Sequence, residues 1–156
     1  MSTEENRPAG ENSDSRYRNL MLIWIAQLMS FAFLSLLPML VGKPIDAADA
    51  DDTLRQIFFA IGVTTLILSF VLKRRMLSRA IERQDARQVQ AGYILAFALC
   101  EMTGLSGVLI HLTKGATSIY HLLLALGWFG LLLHWPRRSH LTDASFKSGG
   151  FGANEF

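Results

Sequence analysis

The stretch Phe97-Ala-Leu-Cys-Glu-Met-Thr-Gly-Leu-Ser-Gly-Val-Leu-Ile-His111 sets a single carboxylate, Glu101, in the middle of an apolar run. The run extends over Val89–Leu112. A helix rises about 1.5 Å per residue and needs about 20 apolar residues to cross a bilayer, so Val89–Leu112 is long enough to span. A charged residue at the centre of such a span costs about 2.5–3.5 kcal/mol on insertion scales, so it faces protein or water rather than lipid. Glu101 therefore has one of two roles: it carries a proton or cation, or it is held by a hydrogen-bonding partner on another helix.

The rest of the 156-residue chain repeats the pattern of apolar blocks between charged connectors, although its mean hydropathy is only +0.28. The other blocks are Leu20–Val41, with Pro38 near its end, Ile57–Leu72 and Ile119–Trp135. The expected fold is all-α: a polytopic membrane protein of four transmembrane helices (20–41, 57–72, 89–112 and 119–135) in an up-down bundle. Pro38, three-quarters through the first block, is expected to kink its last turn, which neighbouring helices or water can re-satisfy in a membrane. The second helix runs without Gly or Pro into Lys73-Arg-Arg-Met-Leu-Ser-Arg-Ala-Ile-Glu-Arg-Gln-Asp85, which predicts a charged extension into the cytoplasm. Residues 1–19 and 137–156 are polar and read as disordered cytoplasmic tails around a 20–136 membrane domain. The polar start and the absence of a cleavage site after the first block argue against a secretory signal.

Orientation follows from the basic residues. Of the 15 Lys and Arg, all but Lys43, Arg55 and Lys114 fall on the side shared by both tails and the central connector. Positive charge accumulates on the cytoplasmic side, so both termini are expected in the cytoplasm of a multi-pass protein of the cell membrane. Lys73, Arg74 and Arg75 fix this topology, and their charge favours anionic headgroups of the surrounding lipid bilayer. Without a larger basic surface interleaved with aromatics, no nucleic-acid partner is expected.

Counting from span ends sets Ser30, Thr64, Thr65 and Gly127 level with Glu101, and Gln27 about a turn toward the cytoplasm. Thr64 or Thr65 is the expected hydroxyl partner of Glu101. On its own helix Glu101 shares a face with Ala98 and Gly104, and Gly107 lies beyond them; such small residues let a neighbouring backbone approach. His111 and His121 flank the turn Lys114-Gly-Ala-Thr-Ser118 and form a possible relay. His134, beside Trp135 and Pro136, reads as an interfacial anchor. Two histidines make no metal site, and the lone Cys100 adds none. No paired carboxylates, nucleophilic Ser/His pair or metal triad lies within a span, so neither enzyme activity nor a cofactor is expected.

Residues 80–110 carry a resemblance. Phe97-Ala-Leu-Cys-Glu101-Met, with Gly107 six residues after the glutamate, resembles the carboxylate-bearing helix of the proteolipids, the c subunits of rotary ATP synthases. Upstream, Ala80-Ile-Glu-Arg-Gln-Asp85 is similar to the cytoplasmic loop of their hairpin, with Asp85 where those proteins carry proline. The resemblance implies an ion-binding role for Glu101, with Thr64 and Thr65 as candidate partners, in an ion-translocating oligomer. The residues alone favour an accessory or structural subunit of a membrane complex, or a homo-oligomer, whose Glu101 binds a proton or cation or only joins helices. A small transporter is the remaining alternative.

Overall fold

A computed structural model describes residues 9–41, 52–114 and 117–144. Five helices account for nearly all of them: α1 (Ala9–Val41), α2 (Asp52–Arg83), α3 (Ala86–Lys114), α4 (Thr117–Leu133) and the short α5 (Arg138–Asp143). No strand occurs among the described residues. Three segments are long and apolar enough to cross a membrane: Asp14–Pro38, Asp52–Arg83 and Ala86–Thr113. The apolar part of α4, Ser118–Leu133, is shorter.

Two expectations at the ends of the chain need correction. Residues 9–19, read as tail, are the first turns of α1, and 138–143, also read as tail, form α5. Both are held by packing that their polar composition conceals. Tyr17 packs against the core that contains Leu20, Leu141 and Ala144, and Asp14 is paired with Arg138. The remainder of both tails, most of the acidic connector after Val41 and the Gly115–Ala116 turn lie outside the described residues.

The second helix does continue past its apolar block, to Arg83. It stops without a glycine. Gln84 adopts a left-handed backbone (φ 56°), the Asp85 N–H donates to the Ala80 carbonyl at 3.0 Å and the Gln84 N–H to the Ile81 carbonyl at 3.3 Å. This is the Schellman arrangement, which satisfies the carbonyls left over at a helix end. Asp85 then opens α3, its side chain accepting from the Arg87 N–H at 2.9 Å.

Helix α3 lies at the centre, touching each of the other four, whereas α1 and α2 do not touch each other. Helix α2 buries only Gly62, Ser69 and Ala80, all small, and leaves Ile57, Phe59, Ile61, Ile67, Leu68 and Phe70 exposed. A small inward stripe under a wide apolar outer face suits a helix surrounded by lipid. The inward stripe is bonded as well as packed, because the buried Thr103 hydroxyl of α3 lies 3.0 Å from the Gly62 carbonyl and 3.1 Å from the Thr65 hydroxyl.

Helix α1 is pinned to α4 toward both ends of its apolar stretch, 20–41, and wedged between those points. Pro38 has no N–H, so the carbonyl of Leu34, four residues earlier, lacks its helical donor. The buried Tyr120 hydroxyl of α4 donates to that carbonyl at 2.9 Å. At the other end the Trp24 indole N–H donates to the Leu131 carbonyl at 3.1 Å, and its ring meets Trp135 edge-on with centroids 4.5 Å apart. Between these bonds the fully buried Phe31 ring enters a slot between Gly104 of α3 and Gly127 of α4. A Cβ on either glycine would come within 2.8 Å of the ring.

A candidate polar clamp between the first and third helices

The Phe31 slot fixes the rotation of α1 against α3, and that rotation brings two polar residues of α1 onto Glu101. Gln27 and Ser30 are three apart, hence on one helical face. The Ser30 hydroxyl donates to one Glu101 carboxyl oxygen at 2.6 Å, and the Gln27 side-chain amide donates to the other. All three side chains are half-buried. Glu101 has no ion pair among the described residues, so the carboxyl is held entirely by neutral donors. Chemically the cluster joins two helices, with two donors of α1 on the two oxygens of one carboxyl of α3.

Thr64 and Thr65 are not the partners. Thr64 is exposed, and Thr65 bonds Thr103 and the Ile61 and Gly62 carbonyls of its own helix. The reason is rotational: Thr103 and Glu101 point ~200° apart around α3, so the face that meets α2 cannot also present the carboxyl. Of the small residues, Gly104 receives Phe31, and Gly107 lies against α4, where an added Cβ would be 3.1 Å from the Tyr120 carbonyl. Ala98 is exposed. His111 and His121 are not bonded to each other: the Tyr120 ring packs on both, with centroids 5.2 and 4.8 Å away. His111 is buried and its Nδ1 has no hydrogen-bond partner among the described residues, whereas His121 is exposed. Arg74 and Arg75 are exposed, and Lys73 is half-buried.

A second polar cluster lies at the other end of α4. His134 is buried, with Nε2 3.0 Å from the Ser69 hydroxyl and Nδ1 3.4 Å from the Lys73 ammonium. An ammonium only donates, which makes Nδ1 the acceptor and Nε2–H the donor to Ser69. Ser69 passes its own proton to the Leu66 carbonyl at 2.7 Å. The Lys73 ammonium also sits 4.3 Å over the centre of the Tyr93 ring, a cation–π contact. The Tyr93 hydroxyl accepts from the Arg137 backbone N–H at 3.1 Å and reaches His140 Nδ1 at 2.7 Å. Burial, then the charges of Lys73 and Arg137, hold His140 below the usual imidazole range, against a smaller upward pull from Asp143. The anchoring role read for His134 from its place beside Trp135 and Pro136 gave no sign of the Ser69 and Lys73 contacts.

No group of three or more His, Cys, Asp or Glu side chains suited to a metal occurs among the described residues. Comparison with known proteins returns no matching family model, curated protein or solved structure.

Proposed function

We propose that the chain is a four-pass integral protein of the cell membrane, both termini cytoplasmic, that serves as an accessory or structural subunit of a membrane complex, with Glu101 as the clamp that docks α1 onto α3. The observation that carries this reading is that Gln27 and Ser30, both from α1, occupy both oxygens of a carboxyl that is the only acidic group at its depth. A device spent on joining helices needs one acceptor and two donors, and that is what converges here. Interhelical polar contacts of this kind hold membrane bundles together without a hydrophobic driving force between the helices.

The cluster also supports a second reading, a proton- or cation-binding site of the proteolipid kind. The Glu101 carboxyl and the Ser30 hydroxyl bring oxygens together with no cationic residue beside them, while Gln27 turns its N–H rather than its oxygen to the carboxyl. A hydrophobic carbodiimide separates the two in purified protein reconstituted into vesicles. The clamp reading expects Glu101→Gln to keep yield and oligomeric state, with carbodiimide modification of wild type insensitive to added sodium or potassium. Cation-dependent protection, together with loss of ion flux in Glu101→Gln, would establish the second reading instead.

The topology has its own test. In a Cys100→Ser background, a cysteine at Asp49 is expected to react with an impermeant maleimide in intact cells, and one at Ser78 only after lysis. Reaction at Ser78 from outside contradicts cytoplasmic termini.

A further inference from the structure

Lys73 and Arg137 sit where two apolar blocks of the sequence end: the block within α2 stops at Leu72, and the last block stops at Trp135, just past the end of α4. Tyr93 ties them together, its ring under the Lys73 ammonium and its hydroxyl on the Arg137 backbone N–H. The neutral company of Lys73 is unusual. Its two contacts are a histidine nitrogen and a tyrosine ring, and no carboxylate lies within ion-pair distance among the described residues. The Arg137 side chain is exposed and also forms no ion pair among them. Asp143 acts on His140 rather than on Lys73. Half-buried cations are ordinarily paired, because removing charge from water is costly. Here a tyrosine ring and a histidine nitrogen face the ammonium, with no carboxylate on it among the described residues.

We propose that Lys73 and Arg137, positioned by Tyr93 and His134, form a binding site for the headgroup phosphate of an anionic membrane lipid. The site rests on the membrane-spanning reading above, since only a bilayer delivers a phosphate at this depth. It differs from a diffuse attraction of the Arg74–Arg87 region to the membrane surface: Lys73 and the backbone of Arg137 both contact Tyr93, and exposed Trp135 lies two residues before Arg137. Lys73 supplies a point charge and Arg137 a planar donor fork, the combination that suits a phosphodiester.

The test measures the unfolding midpoint of the detergent-purified full chain with phosphatidylglycerol, with phosphatidylcholine or with inorganic phosphate. Phosphatidylglycerol is expected to raise the midpoint of wild type clearly more than phosphatidylcholine does, since a ligand that binds only the folded state stabilises it. That increment should be halved or less in Lys73→Met and in Arg137→Gln, and kept in Arg79→Gln, which removes an equal charge elsewhere on α2. If Lys73→Met does not fold, Arg137→Gln decides, because its side chain is exposed and makes no bond within the fold. An undiminished increment in Arg137→Gln, or an equal loss in Arg79→Gln, overturns the site. An equal increment from inorganic phosphate overturns the lipid as its occupant. Carbonate extraction of the chain from membranes without detergent would defeat the membrane reading itself, whatever the lipid data show.

Discussion

Gly127→Leu is expected to prevent the chain from folding to a monodisperse species in detergent. A Cβ at this position would stand 2.8 and 2.9 Å from two carbons of the Phe31 ring and 3.1 Å from the Cys100 carbonyl. The ring cannot retreat, because Gly104 closes the slot on its other side with an equally short approach of 2.8 Å. Nor can the Cys100 carbonyl, which belongs to the central helix. Overpacking a well-filled site costs about 1–3 kcal/mol when neighbours can shift, and here the cost should lie at or above the upper figure. Gly127→Ala carries the same Cβ and should be milder but clearly destabilised. Gly92→Ala, whose Cβ would stand 3.2 Å from Met76 Cβ, should cost less than Gly127→Ala, because its one close contact is longer. Adding Phe31→Leu to Gly127→Ala should recover part of the loss by emptying the slot. Thermal unfolding followed by size exclusion reads all four, and a Gly127→Leu protein with a wild-type midpoint would mean that α1 does not pack here.

The second large effect is expected at Glu101. In Glu101→Leu both Gln27 and Ser30 lose their common acceptor. A buried donor left unsatisfied costs about 1–3 kcal/mol, whereas single interhelical polar contacts in a membrane average ~0.6 kcal/mol, because the unfolded chain finds other partners there. With two donors stranded by one change, a loss of about 1–3 kcal/mol is expected. Glu101→Gln should lose less than half as much, since its carbonyl oxygen still accepts from one of them.

Much of this bundle was legible in the chain. The central apolar helix and the charged continuation of α2 follow from hydropathy and the absence of helix breakers; of the small residues expected to pack, Gly104 and Gly107 are buried and Ala98 is exposed. The extension of α1 before Leu20 was hidden, because Tyr17 docks on the core that contains Leu141 and Ala144, and Asp14 pairs with Arg138, contacts between residues more than 100 apart. The partner of Glu101 was half legible. Depth counting set Ser30, Thr64 and Thr65 at one level, with Gln27 a turn away, but depth says nothing about which helix a carboxyl points at. The missing signal was angular. Thr103 is the residue of α3 that suits a close approach of α2, bonding the Gly62 carbonyl, and Glu101 lies on the opposite side of the helix. On that side α1 offers Gln27 and Ser30, one turn apart in an otherwise apolar block. The Lys73–His134–Tyr93 cluster left no trace in spacing, since its members lie on α2, on α3 and just past the end of α4, and meet only through the packing of α4 on α2 and α3.

The clamp between α1 and α3 is tested most directly by a double-mutant cycle on Gln27→Leu and Glu101→Leu, read by reversible unfolding in lipid–detergent micelles. Residues that share one hydrogen bond couple by about 0.5–3 kcal/mol, whereas independent sites add to within about 0.3–0.5 kcal/mol. The expected result is a coupling of at least about 1 kcal/mol, with the double variant scarcely worse than Glu101→Leu alone. Simple additivity of the two losses would contradict the clamp.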